Sequence, residues 1–343
     1  MMDLLKFNRI SLCTIVFVCL LYSCKEQQQI LVRNDANGGA LGTSYNLIYF
    51  SETPLDLQTQ IDSVFGVMNQ SLSTYIPGSD ISKINRGDST LVVDTMFQDV
   101  FNLSKEVHKE TKGYFDPTVG VLVNAWGFGP GKQMKLDSTR VDSLLKYVGF
   151  DKVRISKENQ ILKDSPSIYF DFNAIAKGYA VDRLAKMMDA NGVNNYLLEV
   201  GGELVAKGRN TTKNKSWVVG IDDPQVVEGR ELKLMIQLEN KAMASSGNYR
   251  KFRVDKETGK KYVHTINPIT GYTKNGTTLG VTVLANSCAE ADAYATSFMA
   301  MDFTEVLELV EAKKNIEVYI VYLDDTGNIQ EFMTDGVKEL IVE

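Results

Sequence analysis

Histidine and cysteine are both scarce in this sequence. Among 343 residues there are two histidines and four cysteines, and Cys13, Cys19 and Cys24 all precede residue 25. An N-terminal segment that is removed on export takes the first two with it, and Cys24 stands at the cleavage point. Cys288 then has no cysteine partner. An intramolecular disulfide is excluded, so the fold must be stabilised by its hydrophobic core.

A strong charge of one sign is also missing. The sequence has 37 Lys and Arg against 43 Asp and Glu, which gives a formal net charge of −6. Proteins that bind nucleic acid present a basic face to the phosphates, so this balance argues against nucleic acid as a partner. The hydrophobic fraction of 44% is that of an ordinary globular protein.

The apolar run near the N-terminus is too short for a comfortable transmembrane helix. It covers residues 10–23 and follows Lys6 and Arg9, whereas a spanning helix needs about 20 residues. A short basic segment followed by such a run is typical of a secretory signal. The end of the run, 21-LYSC-24, resembles the lipobox of bacterial lipoproteins, where cleavage occurs before a lipid-carrying cysteine. A plain secretory signal or a buried apolar element are the alternatives.

The chain is therefore expected to have three parts. They are a lipoprotein signal peptide over 1–23, the lipidated Cys24 with a polar linker over 24–38, and one catalytic domain over 39–343. Two or more acyl chains make a stable anchor. We expect a location in the cell envelope, with the protein lipid-anchored on the periplasmic (extracytoplasmic) side of a bacterial membrane.

The periodicity of apolar residues predicts an α+β fold. Four segments have a helical period, namely 55–73, 97–113, 176–188 and 288–301. Six segments are strand-like, namely 45–50, 168–172, 196–200, 217–221, 232–238 and 279–285. A polar loop is predicted over 77–89, and 242–246 and 261–266 are expected to flank a charged hairpin with its tip at 257–259. Helices and strands do not alternate strictly, which favours α+β over a doubly wound sheet.

Two constellations contain residues suited to a metal or phosphate site. Asp292 and Thr296 are one helical turn apart, so a carboxylate and a hydroxyl share one face, and Mg²⁺ prefers such oxygen ligands. The alternative is a capping or intrahelical hydrogen bond between the two side chains. Asp171 and Lys177 bracket a turn before a helix, where an N-cap and a solvated surface charge are the alternatives.

Glycine-rich segments and the two histidines are the other candidates. Gly201-Gly202 interrupts a strand pattern, as glycine does where another backbone or a ligand approaches closely. The aromatic loop 113–130 could hold a planar ring or could be a turn with core aromatics. His264, before an Asn-Pro turn, is a structural histidine or a functional one, and His108 is interpreted as a surface residue.

Taken in order, these segments resemble the ApbE family. The resemblance rests on 73-STYIPGSDISKIN-85, 115-FDPTVGVLVNAWGFGP-130, 171-DFNAIAKGYAVD-182, 198-LEVGGE-203, 264-HTINPITG-271 and 289-AEADAYATSFMAM-301. It implies a single ApbE-like, T-fold-related domain. The implied activity is Mg²⁺-dependent transfer of FMN from FAD to a Ser or Thr hydroxyl of a target protein through a phosphoester bond, with release of AMP.

The resemblance also implies roles for individual residues. The metal ligands would be Ala174 through its carbonyl, Asp292 and Thr296, and the catalytic residues would be His264 and Asp292. The implied FAD site consists of Leu41, Tyr75, Tyr114, Phe115, Asp116, Asp171, Lys177 and Ile266. Leu41 stands where the family usually has Met, a change of similar volume.

The role of His264 stays open between a general base, a phosphate-binding group and a group that orients the target. Cys288 is interpreted as a small core residue.

Two other functions fit the same residues. One is a Mg²⁺-dependent FAD pyrophosphatase that uses water as the acceptor and gives FMN and AMP. The other is a flavin-binding lipoprotein without chemistry, which would not require Asp292, Thr296 and His264 together. For the transferase, the resemblance implies target proteins with an acceptor Thr or Ser in membrane electron-transfer or ion-pumping complexes.

Overall fold

The computed structural model describes residues 30–342 except for 227–228, 230, 249–251, 255–260 and 275. The predicted signal peptide, Cys24 and the hairpin tip at 257–259 lie outside the described residues. The α-helices are α1 (Gln58–Leu72), α2 (Asp80–Asn85), α3 (Thr95–Glu110), α4 (Gly120–Trp126), α5 (Ser138–Leu145), α6 (Ala176–Ala190), α7 (Cys288–Ala300), α8 (Phe303–Ala312) and α9 (Asp335–Lys338). Within the described part of the chain, no helix is long and apolar enough to cross a membrane.

The strands form one large antiparallel sheet and three small two-stranded ones. The strands are β1 (Val32–Ala40), β2 (Thr43–Ser51), β3 (Val153–Ile155), β4 (Ile161–Lys163), β5 (Asn195–Val200), β6 (Glu203–Lys207), β7 (Trp217–Asp222), β8 (Leu232–Leu238), β9 (Lys241–Gly247), β10 (Phe252–Val254), β11 (Lys261–Val263), β12 (Thr278–Ala285), β13 (Glu317–Leu323) and β14 (Ile329–Met333). The eight-stranded sheet has the order β1-β2-β5-β6-β9-β12-β13-β14, and β3-β4, β7-β8 and β10-β11 pair separately.

The large sheet is covered on both faces. On one face, alternate residues of β2 and β5, such as Leu47 and Leu198, pack with α1, α3, α6 and α7 in the main core. On the other face, Phe50, Leu204 and Met243 pack against Trp217 and Ile236 of the β7-β8 ribbon. The alternation of side chains along each strand puts one set on each face, so the functional helices α6 and α7 both lie on one side of the sheet.

The predicted α+β class is confirmed, and the long helices are where the periodicity placed them. The predicted polar loop over 77–89 is wrong in part, because α2 forms within it. Ser79 caps α2, and its side chain accepts a hydrogen bond from Ser82 N. The six residues of α2 are too few for a clear apolar period, but Ser79 followed by Asp80 was a helix-start signal.

Two strand predictions are also wrong in part. Residues 168–172 form only an isolated bridge, between Tyr169 and Val119. Segment 242–246 does not flank the charged hairpin, because it belongs to β9 and pairs with β6 and β12. The partner of β11 is β10, so the hairpin exists with a different first strand.

The polar segment before the domain also differs from the prediction. Residues 32–38 of the expected linker belong to β1, which pairs with β2 from Val32–Ser51 to Ala40–Thr43. The strand is mostly exposed and polar, so its composition indicated a linker. Backbone pairing with β2, not burial of apolar side chains, holds it in the sheet.

Candidate functional site

Two tight turns meet at one end of the large sheet. The turn between β1 and β2 is Leu41-Gly42, with φ of 52° and 75°. Two successive residues with positive φ are typical of a type I′ hairpin turn. The turn between β5 and β6 is Gly201-Gly202, and Gly201 N donates to the Ser44 carbonyl at 2.9 Å. These contacts place Leu41, a predicted FAD residue, beside the paired glycines.

Gly201 is glycine because the space beside it is filled. A Cβ at this position would lie 2.7 Å from Thr43 Cγ2 and 3.3 Å from Lys177 Cδ. Its φ of 64° is also in the region that favours glycine. The predicted close approach at Gly201 is therefore to the side chains of Thr43 and Lys177, which brings the first turn of α6 to the end of the sheet.

Helices α6 and α7 make backbone contact at Gly178. A Cβ at Gly178 would overlap the Cys288 carbonyl and lie 2.8 Å from the Cβ of Asp292. Without a side chain there, Gly178 N donates to Asp292 Oδ2 at 3.0 Å. Gly178 is the third residue of α6, and the first N–H groups of a helix have no acceptor within it. The Asp292 carboxylate therefore caps the first turn of α6, just after the turn that contains Ala174.

Asp182 fixes the start of α7 against α6. Its carboxylate accepts from Cys288 N at 2.8 Å, from Ala289 N at 2.9 Å and from Ser287 Oγ at 2.8 Å. The first N–H groups of a helix have no partner within it, and a carboxylate there is also favoured by the helix dipole. Asp182 therefore sets the position of α7, and with it that of Asp292.

Two buried carboxylates and a half-buried ammonium group lie together at this contact. Asp292 is 5% exposed and Glu203 is 3% exposed, and Lys177 forms an ion pair with Glu203. Burial raises the pKa of Asp292, while Lys177 and the Gly178 N–H oppose that rise. Burial and the charge of Asp292 raise the pKa of Glu203 to about 7, against the effect of Lys177. Burial alone would lower the pKa of Lys177, but Glu203 and Asp292 outweigh it and raise that pKa.

Of the predicted metal ligands, Asp292 lies at the α6–α7 contact, and Ala174 precedes the first residue of α6 by two positions. Thr296 is half-buried one turn after Asp292, and the Asp292 carboxylate accepts from Gly178 rather than from the Thr296 hydroxyl. The structure therefore does not show the alternative, a hydrogen bond between the Asp292 and Thr296 side chains. Among the described residues, no three or more His, Cys, Asp or Glu side chains form a metal-binding group; the predicted set contains one carboxylate, one hydroxyl and one carbonyl.

A second part of the site surrounds Asp171. Asp171 N donates to the Pro117 carbonyl at 2.8 Å, and its carboxylate accepts from Asn173 N at 2.8 Å. Burial raises the pKa of Asp171. Tyr75 is 59% exposed, and partial burial followed by the charges of Asp171 and Tyr169 raises its pKa. The exposed ring can stack on the face of a bound heterocycle, and the buried carboxylate can accept hydrogen bonds from its donor groups.

The loop 114–116 is built mainly by structural hydrogen bonds. Phe115 is buried in the main core. Asp116 accepts from Thr118 N at 2.8 Å and from Thr118 Oγ1 at 2.5 Å, and burial raises its pKa. Burial and a hydrogen bond with Glu305 raise the pKa of Tyr114 to about 12. Half-buried Tyr114 is the member of this run best placed to meet a ligand.

The surface interpretation of His108 is wrong. Its Nδ1 lies 2.8 Å from the Phe115 carbonyl and 3.6 Å from Asp116 Oδ2, and its ring packs against Phe150 at 5.5 Å. The histidine lies at the end of α3, where the chain returns as the 114–118 loop. That contact is between distant elements of one core, so the pattern of α3 alone did not indicate it.

The segment that follows His264 is a rigid turn. Gly271 N donates to the Asn267 carbonyl at 2.8 Å, and Asn267 Oδ1 accepts from Ile269 N at 2.8 Å. Ile266 is buried in a small cluster with Leu122, Trp126, Val141 and Val148. Trp126 Nε1 donates to the Gly271 carbonyl at 2.9 Å. The turn is thus attached to α4, and His264 is half-buried at its start.

Helix α4 joins this turn to the Asp171 region. A Cβ at Gly120, the first residue of α4, would lie 3.1 Å from the Cβ of Asp171, and Trp126 is its last residue. The six residue steps from Gly120 to Trp126 correspond to a rise of roughly 9 Å along the helix axis. The described contacts therefore connect the predicted residues in one series, from the Ile266 turn through α4 to Asp171 and on to Lys177 and Asp292.

Two cavities flank these residues. One of about 510 Å³ begins at Thr43 and the Gly201-Gly202 turn and continues on the β7-β8 side of the sheet. The other, of about 430 Å³, lies between Thr273-Lys274 and Met301-Phe303. Neither cavity is lined by a predicted metal ligand or FAD residue.

Comparison with known proteins decides the family. The ApbE family model matches residues 41–320. The chain belongs to the ApbE family. The FAD:protein FMN transferase of Haemophilus influenzae is 32% identical over 320 residues, which is 90% of each chain. That of Vibrio cholerae is 33% identical over 313 residues, 89% of this chain and 92% of the relative.

Solved ApbE structures have the same fold. The flavin transferase ApbE from Vibrio cholerae superposes with a TM-score of 0.80 at 32% identity, over 91% of this chain and 100% of that one. The apo form of the Pseudomonas stutzeri flavinyl transferase ApbE gives 0.79 at 27% identity, over 90% and 97%. The family resemblance and the fold prediction are both confirmed.

The sequence did not assign roles to three residues of this site. Gly178 and Asp182 lie within the motif 171–182, and Glu203 follows the paired glycines. A glycine inside a helical pattern near the helix start was the available signal for Gly178, since such a glycine needs a packing reason. Glu203 had no signal beyond its place next to the turn, because its partners are 26 and 89 residues away.

Proposed function

We propose that this chain is an FAD:protein FMN transferase that attaches FMN to a Ser or Thr hydroxyl of a target protein and releases AMP. The observation that carries the proposal is the bond from Gly178 N to Asp292 Oδ2 at 3.0 Å. This bond holds the buried Asp292 carboxylate of α7 against the first turn of α6, directly after the turn that contains Ala174. The carboxylate is thereby placed where a cation held by the residues of that turn could use it.

The reaction is a phosphoryl transfer. The hydroxyl oxygen of the target attacks the phosphorus on the FMN side of FAD, and the bond from that phosphorus to the bridging oxygen breaks. AMP leaves with the electron pair of that bond, and the hydroxyl proton passes to a base. Such reactions depend mainly on positioning and on stabilising charge. The residues of the chain must therefore fix the pyrophosphate and accept one proton.

The donors present fit a magnesium ion. The Ala174 carbonyl, the Asp292 carboxylate and the Thr296 hydroxyl would hold it, and all three are oxygen ligands of the kind Mg²⁺ prefers. Three protein ligands leave positions for phosphate oxygens and water. When bound, the ion supplies neutralisation of the charge that develops on the pyrophosphate. Proteins usually bind Mg²⁺ through one or two carboxylates, and this set of ligands contains one.

The surrounding residues have separate tasks. Lys177, with about a third of its side chain exposed (32%), contacts the anionic part of FAD from the start of α6. Tyr75 and Asp171 contact a heterocyclic ring, and Leu41 closes the same end of the sheet from the β1–β2 turn. His264 is the proposed proton acceptor, since imidazole is the side chain used most often for general base catalysis.

The anchor and location are part of the proposal. Lipidation of Cys24 in the cell envelope would place the domain at the periplasmic surface of a membrane. Its targets would be subunits of membrane electron-transfer or ion-pumping complexes with an acceptor Thr or Ser on that side. Enzyme and target would then share one surface, which raises their encounter rate without any added contact.

One incubation tests the activity. The purified full chain, FAD and Mg²⁺ are mixed with a Thr-containing membrane redox subunit, and intact masses and nucleotides are measured. The expected result is a target that gains FMN with loss of water, together with an equal amount of AMP. Equal amounts of free FMN and AMP with an unmodified target would instead establish the pyrophosphatase, and unchanged FAD would leave a flavin-binding protein.

A further inference from the structure

Glu203 has no role in the chemistry described above, although it is among the most deeply buried charges of the site. It is the first residue of β6, directly after Gly201-Gly202, and the pairing of Val200 with Glu203 closes that turn. Its side chain points to the start of α6, where one oxygen, Oε1, pairs with Lys177. The turn therefore fixes the carboxylate opposite the ammonium group.

The other carboxylate oxygen of Glu203 has no hydrogen-bond partner. Oε2 is one of five buried side-chain atoms without one among the described residues. Burying a carboxylate with half of its hydrogen-bonding capacity unused costs free energy, and apolar replacements of buried ion pairs are often more stable. Glu203 is thus poorly explained as a stabilising residue.

The ammonium group of Lys177 pairs with one carboxylate and feels the charge of a second. It feels the charges of both Glu203 and Asp292, but its hydrogen bond and ion pair are with Glu203. Asp292 is left with one backbone hydrogen bond, from Gly178. If Lys177 paired with Asp292 instead, it would neutralise the only carboxylate in the proposed metal site.

We propose that Glu203 is a positioning residue that holds Lys177 away from Asp292 and so keeps the Asp292 carboxylate available to the divalent cation. This inference rests on the proposed function, because it concerns the cation site of the transferase. It adds a residue that contacts neither the cation nor the reacting atoms. Its effect passes entirely through Lys177, which distinguishes it from a metal ligand.

The test is the affinity for Mn²⁺, which reports on the cation site without turnover. Binding to the full chain is followed by electron paramagnetic resonance in the absence of FAD. Glu203→Gln is expected to weaken Mn²⁺ binding by about tenfold or more, because the cation would have to compete with an ammonium group paired with Asp292, and such a charge pair is worth roughly tenfold to a thousandfold in an equilibrium constant. Glu199→Gln removes the same charge from the other side of the same turn; Glu199 accepts from Gly202 N, which the glutamine oxygen can still do, and it is not the ion-pair partner of Lys177, so this variant should bind normally.

The double variant Lys177→Met/Glu203→Gln separates positioning from other effects. With no ammonium group left to pair with Asp292, its Mn²⁺ affinity should return to within a few-fold of the wild type. Circular dichroism of each variant checks that it is folded. A direct ligand role for Glu203 would leave the double variant as weak as Glu203→Gln, and that result would overturn the inference.

Failure of the inference and failure of the proposed function give different results. Equal Mn²⁺ affinity in wild type and Glu203→Gln overturns the positioning role and leaves the transferase intact. Metal-independent FMN transfer by the wild type, with no Mn²⁺ binding, overturns both the cation site and the role of Glu203. A restored double variant together with a weak single variant supports both.

Discussion

Replacement of Gly178 by alanine tests the contact on which the site is built. The added Cβ would overlap the Cys288 carbonyl and approach the Cβ of Asp292 to 2.8 Å. Both neighbours belong to α7, whose start is fixed by Asp182, so neither can move freely. Helices α6 and α7 would have to separate, and the bond from Gly178 N to Asp292 would lengthen.

The magnitude follows from three contributions. Overpacking costs about 1–3 kcal/mol, and weakening a hydrogen bond to a charged group costs about 1.5–3 kcal/mol. Alanine is the better helix former by about 1 kcal/mol, which opposes these losses. The free energy of unfolding of Gly178→Ala should therefore fall by about 1.5–5 kcal/mol.

Gly66→Ala is the matched control. Gly66 lies in α1 and a Cβ there would meet no atom within 4 Å, so this variant should gain up to about 1 kcal/mol. Urea denaturation followed by circular dichroism measures both, and Mn²⁺ titration measures the cation site. If Gly178→Ala were as stable as Gly66→Ala and bound Mn²⁺ normally, the close contact between α6 and α7 would not be required.

Three further predictions concern individual side chains. Asp292→Ala should abolish Mn²⁺ binding and FMN transfer, as measured by paramagnetic resonance and intact mass, while the fold is retained. His264→Ala should slow FMN transfer by about 10²–10⁴-fold with FAD affinity unchanged; transfer at the wild-type rate would exclude it as the base. Burial raises the pKa of Asp171, so its ionisation opposes folding once the pH exceeds the unfolded value of about 4. Asp171→Asn should therefore gain stability over wild type as the pH rises from 4 to 8 in urea denaturation, and lose FAD affinity in fluorescence titrations.

The long helices and central strands were predictable because their side chains alternate with a regular period. Helix α3 has six buried residues on one face, and β5 alternates buried and half-buried residues along its length. Periodicity does not determine which strands pair. Segment 242–246 was assigned to the charged hairpin because it is near it in sequence, whereas β9 pairs with β6, which begins 38 residues before it, and with β12, which begins 37 residues after it.

The residues of the site were predictable from motifs, but their connections were not. Asp171 and Lys177 are six residues apart, so one turn explains their proximity. The pair Lys177–Glu203 and the bond between Gly178 and Asp292 join segments 26 and 114 residues apart. No local pattern specifies such contacts. The packing of His108 against Phe150, 42 residues later, is of the same kind.

Several features that oppose stability occur at this one end of the sheet. Leu41 has a φ of 52°, which is unfavourable for a side chain with a Cβ. Glu203 is buried with an unpartnered oxygen, and burial raises the pKa values of Asp171 and Asp292. Strain, unsatisfied polar atoms and buried like charges persist together mainly where a ligand uses them.

The location of the site thus follows from energetics as well as from motifs. A bound cation and pyrophosphate would compensate the charges that the apo protein leaves unbalanced. Substitutions that relieve these costs, such as Leu41→Gly or Asp171→Asn, should therefore stabilise the free protein and weaken its hold on FAD.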